Sequence, residues 1–152
     1  METRLHTGIA CALVGATFAL CLPARATLGG NVSSVGNDQV RMHATAHTVA
    51  SQTAYTVHQI TLPSGTVVRE YVGTNGIVFG VAWDGPTLPD LKTTLGAAFD
   101  QYVAATATRR STPLAVSNDD LVVFSGGHLR AFVGHAYLPQ AVPAGVDVSV
   151  IQ

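Results

Sequence analysis

Five histidines stand after residue 26, His43, His47, His58, His128 and His135, whereas both cysteines, Cys11 and Cys21, fall before it. Neutral imidazole offers a ring nitrogen to zinc or copper near pH 7. His43 and His47 are four residues apart, a spacing that puts them on one face of a helix and equally on one face of a strand. If that stretch lies beside the run Tyr55–Leu62, His58 joins them and supplies a third imidazole, enough for a zinc or copper centre. The metal set predicted on this reading is His43, His47 and His58. Against it, no HExxH or other catalytic spacing occurs, and His43, Thr45 and His47 form a polar stripe that water alone would satisfy.

Other chemistries find less support. Ser64 sits in Pro-Ser-Gly-Thr and Ser125 in Phe-Ser-Gly-Gly, and neither is the G-x-S-x-G elbow of a hydrolase. A small serine hydrolase would need His58 or His128 as base and Asp84 or Asp90 as orienter, with nothing in the spacing to demand it. Asp119 and Asp120 are adjacent and so diverge. Arg69 and Glu70 point to opposite faces of a strand, Arg69 with Val67 and Tyr71, Glu70 with Val68 and Val72; Arg69 is a candidate binding residue. In Trp83-Asp84-Gly85-Pro86, Trp83 and Asp84 could border a small anion pocket at a helix amino terminus. The structural reading is preferred: Trp83 closes a core and Asp-Gly-Pro makes the turn into a helix.

Rigid elements must position these groups. From Val40, side chains alternate, with Val40, Met42, Ala44 and Ala46 on one side and Arg41, His43, Thr45 and His47 on the other. That suits a half-buried strand over 40–49, although an alanine-rich, proline-free stretch fits a short helix nearly as well. Tyr55 to Leu62 is a β-branched and aromatic run closed by Pro63-Ser64-Gly65. Thr66 to Val72 follows and ends at Gly73-Thr74-Asn75-Gly76, where Asn-Gly signals a hairpin. Ile77 to Trp83 is the third run, with Ile77, Phe79, Val81 and Trp83 on one face. These runs predict an antiparallel three-strand meander.

The period then changes. Thr87 and Asp90 match a capping box, and Leu88, Leu91, Leu95, Phe99 and Tyr102 line one helical face. One helix is predicted to about Ala105, with Arg109 and Arg110 near its negative end. Ser111 to Asp120 reads as a loop. Leu121–Phe124 and Leu129–Leu138 read as a hairpin around Ser125-Gly126-Gly127-His128, and Val146 to Ile151 as a short edge strand. The fold class predicted is α+β, a mostly antiparallel sheet with one helix packed on its apolar face.

The amino-terminal segment has the three parts of an export signal. Arg4 supplies positive charge, an apolar run extends from Ile9 to Leu22, and Ala24-Arg25-Ala26 follows Pro23 with small residues at both positions read by the peptidase. The run is shorter than the roughly 20 residues a membrane-spanning helix needs. Residues 1–26 are therefore expected to be a signal peptide cleaved after Ala26, 27–39 a polar, glycine-rich flexible lead-in, and 40–152 a single domain. Beyond Ala26, six basic and eight acidic side chains give a net charge of −2 with histidines neutral. No basic stripe is present to neutralise phosphates, which argues against nucleic acid. No polybasic amphipathic helix offers a stable membrane anchor after signal removal. A domain without cysteine can carry out no thiol chemistry and must hold together by its core.

The blocks Ala54–Val72, Val78–Pro86, Pro89-Asp90-Leu91 and Leu95-Gly96, with Leu28-Gly29-Gly30 before them, resemble a family of small exported proteobacterial proteins catalogued only as a domain of unknown function. The resemblance covers most of the chain beyond the leader. It implies a periplasmic or secreted location and brings no activity with it. The reading that follows is a non-enzymatic exported module that binds a periplasmic protein, a peptide or an envelope component through its sheet or an exposed strand edge. A histidine-based metal-binding protein or metalloenzyme is the alternative, and a small serine hydrolase the weaker one.

Overall fold

A computed structural model describes residues 28–107 and 113–152. The signal peptide expected at 1–26 and the arginines Arg109 and Arg110 lie outside the described residues. The β-branched and aromatic runs form strands: β1 (Ala46–Ser51), β2 (Tyr55–Thr61), β3 (Val67–Gly73), β4 (Val78–Gly85), β5 (Leu114–Ser117), β6 (Val122–His128) and β7 (Ala131–Tyr137). They make one antiparallel sheet in the order β1-β2-β3-β4-β7-β6-β5. Asn75-Gly76 turns β3 into β4, with Gly76 at φ 77° and the Asn75 side chain accepting from the Ile77 amide at 3.0 Å. Glycine meets that positive φ without steric cost.

Directly paired residues share a face of the sheet, so the register reads out two rows. One runs His47, Ile60, Val68, Trp83, Gly134, Ser125; the next runs Val49, His58, Glu70, Val81, Ala136, Val123. Both lie on the face whose core takes in Val35, Leu95, Ala98 and Tyr102 from the helices. The opposite face buries Tyr71, Phe79 and Ala82 beneath Ile151, with Val142, Val146 and Val150 of the carboxyl-terminal segment packed around them. A register shift between Tyr71 and Val72 places Val72 opposite Val78 and Tyr71 opposite Gly80. This irregularity breaks the two-residue alternation expected along Ile77–Trp83, so Phe79 joins the opposite core from Val81 and Trp83.

The helical elements differ from expectation. The 27–39 stretch, expected as a flexible lead-in, holds a 3-10 turn at Val32–Ser34 and the start of helix α1 (Val35–Arg41). Asn31 caps the turn by accepting from the Ser33 amide at 3.0 Å. Leu28, Ser34, Val35 and Asp38 are buried, because this amphipathic stretch covers sheet face that would otherwise meet water. The strand expected over 40–49 begins only at Ala46; before it the chain leaves α1 through His43 in the left-handed region at φ 52°. The single helix expected to about Ala105 is two, α2 (Leu91–Leu95) and α3 (Ala98–Thr106), parted where Gly96 takes φ 53°. Asp90 is the cap of α2, accepting from the Lys92 amide at 3.0 Å. Thr87, expected in that box, instead bonds Ser64 and Thr66. The stretch read as a loop contains β5, and the edge strand expected at 146–151 is a 3-10 turn at Val148–Val150 that sets Ile151 into the core.

Candidate functional site

Three groups of polar side chains stand out on this frame. The first is a histidine pair. His47 on edge strand β1 and His58 on β2 share the helix-covered face, and His47 Nε2 lies 3.2 Å from His58 Nδ1 with the rings stacked at 14°. Burial, and then the neighbouring His47, push His58 below the usual imidazole range, which keeps its ring a neutral nitrogen donor. His43 sits in the turn after α1 and lines a surface hollow with Gln39, Thr45 and His47. Among the described residues, no three His, Asp, Glu or Cys side chains are grouped closely enough to hold a metal ion. The fold therefore brings two of the three predicted imidazoles together and sets the third beside one of them.

The second is a carboxyl pair. Asp38 on α1 is 0% exposed and Glu70 on β3 is 1% exposed. Burial raises Glu70 to about 9, with the neighbouring Asp38 carboxyl adding in the same direction. Burial raises Asp38 to about 7, against the lowering effect of the neighbouring Glu70 and of Arg41. Both carboxyls therefore favour the protonated form, Glu70 more strongly than Asp38. The contact is loose: Asp38 Oδ1 and Oδ2 and Glu70 Oε2 make no hydrogen bond of good geometry. Glu70 is legible on one strand face with Val68 and Val72, whereas Asp38 falls in the stretch expected to be a flexible lead-in, so spacing alone does not pair the two acids. The available signal was a lone acid three residues after Val35 in a stretch that packs as a helix.

The third is the free edge of β1. Gln52 donates to the Tyr55 carbonyl at 2.8 Å, so 52 and 55 are a hydrogen-bonded pair. Alternation then gives Ala50, Thr48 and Ala46 the bonds to β2 and turns the backbone groups of His47, Val49 and Ser51 outward. Among the described residues nothing pairs with them. The strand Ala-His-Thr-Val-Ala-Ser contains no Lys, Pro or other charge of the kind that usually blunts an edge. Val49 is 53% exposed.

The remaining predicted residues are not gathered into a site. Arg69 lies on the opposite face and donates to the Gln152 carbonyl at 3.4 Å, beside Tyr71, whose hydroxyl donates to the same oxygen at 3.0 Å. Trp83 is 1% exposed, so it presents no edge to a ligand, while Asp84 is exposed at the end of β4. Ser64 Oγ accepts from Thr87 Oγ1 at 2.7 Å in the turn between β2 and β3. Ser125 lines an apolar cleft of about 310 Å³ with Leu91, Phe99, Tyr102, Leu114 and Phe132. His135 faces away from Ser125, stacked between Phe124 and Tyr137.

A family model described as "Protein of unknown function (DUF2844)" matches residues 24–151. No curated protein and no solved structure matches the chain.

Proposed function

The chain belongs to that family of unknown function, and we propose that it is an exported, non-enzymatic binding module that takes an extended peptide segment of a partner protein as an added strand on β1. The observation that carries this reading is the uncharged outer edge of β1, where the N–H and C=O groups of His47, Val49 and Ser51 await partners. An added strand supplies main-chain hydrogen bonds for affinity, and the side chains flanking it, His47 and Val49 among them, supply selectivity. Export rests on the leader at 1–26, removed after Ala26.

Val49→Pro tests the reading cleanly. It deletes an outward N–H while leaving the bonds of Thr48 and Ala50 to β2. Peptides selected from a random extended-peptide library are expected to lose at least about tenfold in affinity for the variant, a difference of about 1.4 kcal/mol. Peptides that bind wild type and variant equally, or a library that yields none, would sink the proposal. Mass spectrometry of the protein recovered from a cell envelope fraction tests the leader: the expected amino terminus is Thr27.

A second reading has its own support. Two nitrogens each 2.0–2.1 Å from a tetrahedral zinc stand roughly 3.3 Å apart, close to the 3.2 Å between His47 and His58. A zinc or copper ion on this pair would draw its other ligands from water or from His43 after a turn of its side chain. Elemental analysis of the purified protein decides it; the absence of both bound metal and a thermal shift on adding either ion would retire it.

A further inference from the structure

Two carboxyl groups with no access to water are a costly arrangement unless protons accompany them. Asp38 and Glu70 are such a pair, and each comes from a different layer: Asp38 from the seven-residue helix α1, Glu70 from β3 within the sheet. Between them they leave three oxygen atoms without a well-formed partner. Few other groups can balance their charge. Arg41 is on α1 itself and exposed. His58 stands directly opposite Glu70 on β2, with His47 beyond it on β1, and burial keeps His58 on the neutral side. On the other flank β4 offers Val81, and the next position on that face is Trp83.

The attachment of this segment is uneven along its length. Its first part is held by backbone bonds, Gly29 N–H to the Val78 carbonyl at 2.8 Å, Val78 N–H to Gly30 at 2.9 Å and Val32 N–H to Gly76 at 2.8 Å. Its last part leaves through the left-handed His43. Between these ends, α1 makes side-chain contacts with the sheet and has no backbone bonds to it.

We propose that the Asp38–Glu70 pair is a proton-operated latch: while at least one of the two buried carboxyls is protonated α1 lies on the sheet, and when both are ionised their repulsion lifts α1 and bares the apolar surface around Val68. The sign follows from the direction of the shifts. Both acids bind protons more tightly in the folded protein than in the unfolded chain, so their stabilising contribution is full below about pH 4 and falls as pH rises through the folded values. Local opening of a short helix that lacks backbone ties to the sheet is less costly than global unfolding, so α1 is the element that responds.

Amide hydrogen exchange on the full protein, corrected for the intrinsic pH dependence of exchange, tests this. Protection at α1 is expected to fall about tenfold or more between pH 6 and pH 9.5, while protection in β3 and β4 stays within about twofold. Glu70→Gln and Asp38→Asn, which cannot both ionise, are expected to flatten the α1 profile. Should neither variant fold, infrared spectroscopy of the wild type supplies the second arm: a protonated-carboxyl C=O band is expected at pH 6 and lost by pH 9.5 together with α1 protection. An α1 profile that is flat in the wild type, or unchanged in a folded variant, overturns the latch. So does the absence of that band at pH 6.

Discussion

Gly134 sits on β7 directly opposite Trp83, and the indole lies across the space where a side chain would begin. A Cβ at 134 would meet Trp83 Cζ2 at 2.3 Å, Cε2 at 2.5 Å and the Phe124 carbonyl oxygen at 2.5 Å, whereas ordinary contacts fall at 3.4–4 Å. Gly134→Ala must therefore displace either a ring with 1% exposure or the backbone of β6 by about an ångström. Overpacking of this kind costs about 1–3 kcal/mol, and a disturbed ladder bond to Phe124 adds roughly 0.5–1.5 kcal/mol. The expected loss is about 2–4 kcal/mol, a large share of the roughly 5–15 kcal/mol by which domains are stable. Urea denaturation followed by the emission of Trp83, the one tryptophan of the chain, measures it. The ring is the obstacle, so Trp83→Leu, read by circular dichroism, should be coupled to Gly134→Ala: the double variant is expected to be more stable than the sum of the singles predicts. A loss below about 1 kcal/mol, or additivity within about 0.5 kcal/mol, would refute the reasoning.

Gly36 lies within α1 with nothing inside 4 Å of a built Cβ, so Gly36→Ala should stabilise by about 0.5–1 kcal/mol in the same denaturation assay. Ile151 is 2% exposed and packs onto Gly80; Ile151→Ala is expected to cost about 2–5 kcal/mol, read as a lower denaturation midpoint. Burial lowers both His58 and His135 from the usual imidazole value of 6.5. Each binds protons less readily when folded, so their contribution is full above pH 6.5 and is lost as pH falls through the folded values. His135→Gln should reduce that acid-side slope in a thermal melt series, and an unchanged slope would count against burial as its cause.

The strands were legible where side-chain chemistry is local. Tyr55–Leu62 and Thr66–Val72 carry β-branched residues between turn signals, and the structure places strands there. Elements set by single backbone positions were not. The break at Gly96 depends on a left-handed φ that a helical hydrophobic stripe does not reveal, and the shift at Tyr71/Val72 moves Phe79 to the other core without any compositional mark. Leu129-Arg130 makes the β6–β7 turn with Arg130 at φ 69°, where Gly126-Gly127 looked the better turn. Those glycines lie within β6, and a Cβ on Gly127 would fall 2.1 Å from the Ala131 carbonyl oxygen. At the site, the meeting of His47 with His58 required only adjacent strands and could be anticipated. The meeting of Asp38 with Glu70 depends on a helix docking across strands far away in sequence, which spacing does not encode.

The strand order carries a kinetic consequence. β1 to β4 and β5 to β7 are each runs of neighbours in sequence, and among the described residues the sole strand pairing between the two runs is β4 with β7. Each run can zip up through short loop closures, whereas that one seam must wait for about fifty residues of chain to be gathered in. Residues flanking it, Val81, Trp83 and Ala136 among them, are then the ones whose truncation should slow refolding, while changes near β1 or β5 should mainly hasten unfolding.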